Sequence, residues 1–139
     1  MIKRILATHD GSKASDKAVQ TAIALAQQFR ATLTVISVIP ELYLTELVEM
    51  DRVRILDTLT ADAKKTLEKI KAKATGVPSL KTVIKYGRPA VEILAAAARV
   101  KADLIVTGSH GRHGAEKFFL GSVSSKVVDH AACSVFVVK

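Results

Sequence analysis

Tryptophan does not occur in this chain, and four Phe and two Tyr are its only aromatic residues. Sequence-tolerant binding of nucleic acid leans on aromatic platforms for stacked bases. The scarcity therefore disfavours specific nucleic-acid binding, although the formal net charge is +8. Cysteine occurs once, as Cys133, which excludes an internal disulfide. Beside the apolar run Val135 to Val138 it reads as a small buried hydrophobe. No apolar run approaches the ~20 residues that span a bilayer. Met1-Ile2-Lys3-Arg4 leads into a strand pattern rather than a signal sequence, so the expected location is the cytoplasm, with no membrane partner. Only three prolines and seven glycines accompany a hydrophobic content of 49%. That balance describes one folded domain over residues 1–139, long enough to bury about two thirds of its unfolded surface.

The positive charge is concentrated on one predicted helix, at Lys64, Lys65, Lys69, Lys71 and Lys73. Asp62 and Glu68 lie among them, and Lys64–Glu68 and Glu68–Lys71 have the spacing of helix-surface pairs. This is the pattern of a solvated face.

Hydrophobic periodicity switches repeatedly between strand and helix. Lys3 to His9 reads as a strand ending at Asp10-Gly11-Ser12, with Ser12 placed to cap a helix over Lys13 to Phe29. Ala18, Ala22, Leu25, Ala26 and Phe29 recur at intervals of three and four, predicting one buried stripe. The β-branched run Thr32 to Ile39 is a second strand, closed by Pro40. Glu41 to about Asp51 predicts an irregular connection. A long helix then stops at Gly76-Val77-Pro78, where Gly suits the C′ position. Leu80 to Tyr86 is a third strand, and Pro89 opens an Ala-rich helix ending near Val100. Asp103 to Thr107, a short helix from Ser122 to about Ala131, and Cys133 to Val138 complete the alternation. The last strand is so continuously apolar that it is expected to be paired or covered on both sides. Alternation of this kind predicts a parallel sheet between layers of helices, with the ligand crevice outside the carboxyl ends of the strands.

Unusual chemistry gathers at two such ends. One is His9-Asp10-Gly11. The other runs from Gly108 through Gly111 and, after nine residues, to Gly121-Ser122. Glycines let backbone N–H groups approach an anion closely and adopt φ > 0, and the following helix offers unpaired N–H donors and the positive end of its dipole. Ser122 and Ser124 carry further hydroxyl donors. Taken singly, each glycine is explained by a turn; placed together between a strand and a helix, they predict a phosphate site.

The spacing Gly-x₂-Gly-x₉-Gly-Ser resembles the ATP-binding pattern of the universal stress protein family, as does the run Leu120-Gly121-Ser122-Val123-Ser124. The resemblance covers essentially the whole chain, including Asp10-Gly11-Ser12 and Gly87 to Ala90. It implies an open, Rossmann-like five-stranded sheet in the order 3-2-1-4-5 and an ATP ligand accompanied by Mg²⁺ or Mn²⁺. In that pattern Asp10 lies near the ribose or the metal-bound phosphates, the backbone of Val38 meets the adenine edge, and Gly108, Gly111, Gly121, Ser122, Val123 and Ser124 hold phosphate. Arg112 reads as positive charge closing over those phosphates. The family also implies a homodimer formed through the fifth strand, Ser134 to Val138, which would otherwise be an uncovered apolar edge.

His9 either touches the nucleotide or fills a strand end, and His130 reads as a cation at a helix C-terminus. His110 and His113 lack the Cys or carboxylate partners of a zinc site. The lysine of the phosphate-binding loop is absent, and no carboxylate is placed to orient water, so at most slow ATP hydrolysis is expected. The expected function is that of an ATP-binding regulatory protein of the stress response. The alternatives are a slow ATP-hydrolysing or nucleotide-transferring enzyme of the same fold and, more weakly, an interaction module with a vestigial pocket.

Overall fold

The computed structural model describes residues 1–41, 48–110 and 120–139. Its elements run β1 (Arg4–Thr8), α1 (Lys13–Phe29), β2 (Thr32–Pro40), α2 (Glu49–Lys73), β3 (Ser79–Gly87), α3 (Pro89–Val100), β4 (Leu104–Gly108), α4 (Ser122–His130) and β5 (Ser134–Val138). All neighbouring strands are parallel, in the order β3-β2-β1-β4-β5. The expected fold class and strand order are therefore observed.

The helix starts are set locally. Ser12 accepts the Ser15 N–H at 3.1 Å and so caps α1, while Pro89 occupies the first turn of α3, where a missing N–H removes nothing. The β1 and β4 strands are buried on both faces, and alternate residues feed two separate cores. Ile5, Ala7, Leu33, Val35, Leu104 and Val106 pack with α1 and with Leu67 of α2. Leu6, Ile36 and Ile105 pack on the other face with α3 and with Val127 of α4. Leu6 is fully buried, which stabilises the fold by about 1.5–3 kcal/mol relative to exposure. Because α1 follows β1 on one face and α4 follows β4 on the other, the carboxyl ends of these two adjacent strands open into a crevice.

Several local expectations are corrected. Phe29 ends α1 at 44% exposure, outside the buried stripe, and Val19 takes a core place instead. Gly76 is not the C′ residue: α2 is capped at Ala74, so glycine stands two positions beyond the cap, with φ +77°. The fifth strand is paired with β4 along one edge but is not fully covered: Ser134 and Phe136 are exposed and its other residues only half-buried. Cys133 precedes that strand and is half-buried, and burial pushes its thiol pKa up. The expected irregular connection lies partly in residues 42–47, outside the described residues, and α2 is already regular at Glu49. A cavity of about 340 Å³ between α3 and α4, lined by residues including Leu94, Ala97, Lys101 and Cys133, lies at the opposite end of the strands from the crevice.

That opposite end is stitched by Asp103, which caps the sheet rather than joining β4. One carboxylate oxygen accepts the N–H groups of Lys3 and Arg4, each at 2.9 Å, and the other meets the Arg4 guanidinium at 3.2 Å. The Lys3 N–H, followed by the Arg4 side chain, holds the Asp103 carboxyl down at about 2, from 3.8. Stability from a depressed carboxyl is complete above the unfolded value and is lost as pH falls through the folded value. Asp103→Asn is thus expected to lower the urea midpoint at neutral pH, with a deficit that shrinks between about pH 4 and about pH 2. An equal deficit at both ends of that range would contradict the assignment.

Candidate functional site

The first wall of the crevice is the β1–α1 turn. The His9 N–H donates to the Ile36 carbonyl of β2 at 2.9 Å, so β1 stays hydrogen-bonded up to the turn. Gly11 then takes φ +87°, a conformation that glycine adopts without penalty. Three consecutive N–H groups of this turn are consumed by side chains. The Asp10 N–H donates to Ser15 Oγ at 3.3 Å, the Gly11 N–H to His9 Nδ1 at 3.3 Å, and the Ser12 N–H to Asp10 Oδ1 at 2.9 Å. Ser15, buried, also donates its hydroxyl to the Ser12 carbonyl at 2.8 Å. A turn with its donors spent this way presents no cradle to an anion. It presents the Asp10 carboxylate, which is exposed. Partial burial pushes the Asp10 pKa up, but hydrogen bonds from Ser12 and Ser15 outweigh it, so the carboxyl titrates below the ordinary aspartate value and is ionised at neutral pH.

The second wall follows β4. Gly108 has a packing reason to be glycine: a Cβ there would stand 2.9 Å from the backbone carbon of Ala14 in α1. Ser109, also buried, is a junction. Its N–H donates to the Val138 carbonyl of β5 at 2.8 Å, and its own carbonyl accepts the Gly121 N–H at 2.7 Å and the Ser124 hydroxyl at 3.1 Å. Those bonds fasten the first turn of α4 against the end of β4. Gly121 is the N-cap of α4, with φ −63° and ψ 163° and no side-chain cap. Gly121 thus makes no use of the positive φ that glycine allows. The N–H groups of Ser122, Val123 and Ser124 open a helix and have no carbonyl within it to bond. Ser124 is buried and its hydroxyl is turned into the protein, whereas Ser122 is exposed.

The expected site residues thus divide. Asp10, Gly108, Gly121, Ser122, Val123 and Ser124 lie at the carboxyl ends of β1 and β4 or at the start of α4. Val38 is half-buried on β2, two residues beyond Ile36, the last residue paired with β1. Gly111, Arg112 and His113 lie outside the described residues. His9 fills the strand end at 5% exposure. The residues missed by sequence reasoning are Ser15 and Asp16; Ser109 lies within the strand end that the sequence singled out, but its part as a junction was not read there. Asp16 meets His9 Nε2 at 2.6 Å, and Ser109 Oγ lies 2.6 Å from His110 Nδ1. The only local signal was the acidic residue in the first turn of α1. No group of three His, Cys, Asp or Glu suited to a metal ion occurs among the described residues.

These features define a doubly wound α/β protein with a polar crevice at its strand ends, one wall carrying a carboxylate and the other a helix N-terminus. The family model for the universal stress protein family matches residues 1–139, and the chain belongs to that family. It is 38% identical to a universal stress protein of Thermus aquaticus over 145 aligned residues covering 100% of both chains. The universal stress protein UspA of Lactobacillus plantarum superposes with a TM-score of 0.91 at 32% identity, covering 99% of this chain and 98% of the other. A further solved structure, at TM-score 0.71 and 25% identity over 99% of this chain and 96% of that one, is a universal stress protein in complex with cAMP. The fold is shared, at 19% identity and TM-score 0.65 over 100% and 98% of the two chains, with a universal stress protein of Archaeoglobus fulgidus in complex with dAMP.

Proposed function

We propose that this universal stress protein is a cytoplasmic regulatory protein of the stress response that binds ATP together with Mg²⁺ or Mn²⁺ in the crevice between β1 and β4. The observation that carries this reading is that two features share the carboxyl ends of the adjacent strands β1 and β4: a helix start whose first N–H groups have no partner within the helix, and an ionised carboxylate whose own turn has spent its N–H donors. Helix N-termini suit phosphate oxygens. An ionised carboxylate facing a triphosphate is tolerable mainly when a divalent cation lies between them. Asp10 would therefore face the cation, while the N–H groups of Ser122, Val123 and Ser124 and the Ser122 hydroxyl take phosphate. Gly108, Gly111 and Arg112 would complete that wall, with the Val38 backbone reading the adenine edge. The complexes of two family members with cAMP and dAMP support an adenine nucleotide.

Calorimetric titration is expected to give tighter binding for Mg-ATP than for Mg-GTP, and weaker binding for AMP. Gly121→Val tests the phosphate wall: φ −63° and ψ 163° are open to any residue, so the variant is expected to fold. It should lose the rise in unfolding temperature that Mg-ATP produces, whereas Ser122→Ala should cost roughly ten- to a hundredfold in affinity. An undiminished rise in Gly121→Val would place the site elsewhere.

We also propose a homodimer through β5. The Val138 carbonyl bonds β4, so alternation of the strand turns the peptide groups of Val137 outward along the sheet edge. A proline at 137 removes an outward donor without touching the β4 ladder. Sedimentation is expected to show a wild-type dimer and a monomeric Val137→Pro variant; a dimer unaffected by that substitution would exclude this edge.

A further inference from the structure

His9 is buried, and its ring is held at both nitrogens. Nδ1 accepts the Gly11 N–H at 3.3 Å, and Nε2 lies 2.6 Å from Asp16 Oδ1. A nitrogen that accepts an N–H carries no proton, so the ring proton sits on Nε2 and is donated to Asp16. The Asp16 carboxylate stands in the first turn of α1 with its side chain 58% exposed, and by accepting that proton it fixes the tautomer. The tautomer in turn leaves Nδ1 free to hold Gly11. Gly11 lies between Asp10 and Ser12, whose N–H binds the Asp10 carboxylate. A chain of three contacts therefore runs from an exposed helix carboxylate, through a buried imidazole, to the turn that aims Asp10.

From this chain we infer that His9 and Asp16 are positioning residues for Asp10: they act through its turn to set how tightly the nucleotide-borne divalent cation is held. The inference rests on the reading of the crevice as an Mg-ATP site. Neither residue need touch the ligand. Removal of a hydrogen-bonded partner behind a metal-facing group costs about tenfold or more in metal affinity. The Asp10 carboxylate and the phosphate wall are left in place by such a removal, so the loss should appear only when the cation is present.

His9→Leu keeps an apolar filler at the strand end and deletes the acceptor for Gly11. It is expected to weaken Mg-ATP binding about tenfold while leaving ATP binding in EDTA unchanged. His9→Asn places a side-chain oxygen where an Asx turn accepts the N–H two residues on, and so should restore Mg-ATP affinity to within about threefold of wild type. Asp16→Ala lies on the surface and threatens no core; it should reproduce the magnesium-specific loss, with Asp16→Asn, still an acceptor, milder. In ligand-free protein, long-range ¹H–¹⁵N correlations of the His9 ring should report the Nε2–H tautomer in wild type and its loss of dominance in Asp16→Ala. Equal Mg-ATP affinity in His9→Leu and wild type would overturn the inference, as would a parallel fall in the presence and absence of Mg²⁺, or an Nδ1–H tautomer in wild type. A wild type that binds no ATP would instead overturn the nucleotide reading beneath it, a failure read before any variant is made.

Discussion

The carbonyl of Ser109 accepts two hydrogen bonds that together decide what the crevice is. The chain leaves β4 at Gly108 and returns at Gly121, and the bonds from the Gly121 N–H and the Ser124 hydroxyl close this excursion onto one oxygen. Closing a loop of this length has an entropic cost that grows only slowly with the number of residues inside it. The start of α4 is held by these two contacts at its first turn, and Val127, with Val123 and Ala131, packs it onto the core. Ser109 also holds the end of β5 through Val138, so the helix start, the fourth strand and the sheet edge share one junction.

Against this fixed helix start the β1 turn is built in the opposite sense. Both segments are short connections at strand ends, and both contain glycine and serine. In the β1 turn the N–H groups of Asp10, Gly11 and Ser12 point at side chains of the protein itself, and the Asp10 carboxylate is exposed. At α4 no side chain caps the helix, and the donors are left to whatever occupies the crevice. The proposed division of labour between anion and cation rests on which turn satisfies its own backbone.

Most of the architecture was legible because it is written in short-range pattern. Ser12 caps α1 and Pro89 opens α3 as their local chemistry demands, and the alternation of apolar strands with helices led to the parallel sheet. The glycine spacing pointed to the proposed site, but the reasons for individual glycines were not legible in it. Gly108 is narrow because Ala14 of another element packs on it, and Gly121 needs no unusual φ. The His9–Asp16 contact joins a strand end to a helix turn seven residues later, and nothing in the periodicity of either element announces it. The partial exposure of β5 could not be read from its apolar run alone, because such a run looks alike whether it is buried or lies at a sheet edge.

The central claim is that Asp10 and the start of α4 form the two walls of one nucleotide site. Backbone amide shifts recorded during titration with Mg-ATP test it most directly. The account predicts that the largest changes fall on Asp10 to Ser12, Ser109 and Ser122 to Ser124, while Leu94, Ala97, Lys101 and Cys133 around the cavity at the other end of the strands stay still. Changes concentrated on that cavity, with Ser122 to Ser124 unmoved, would contradict it.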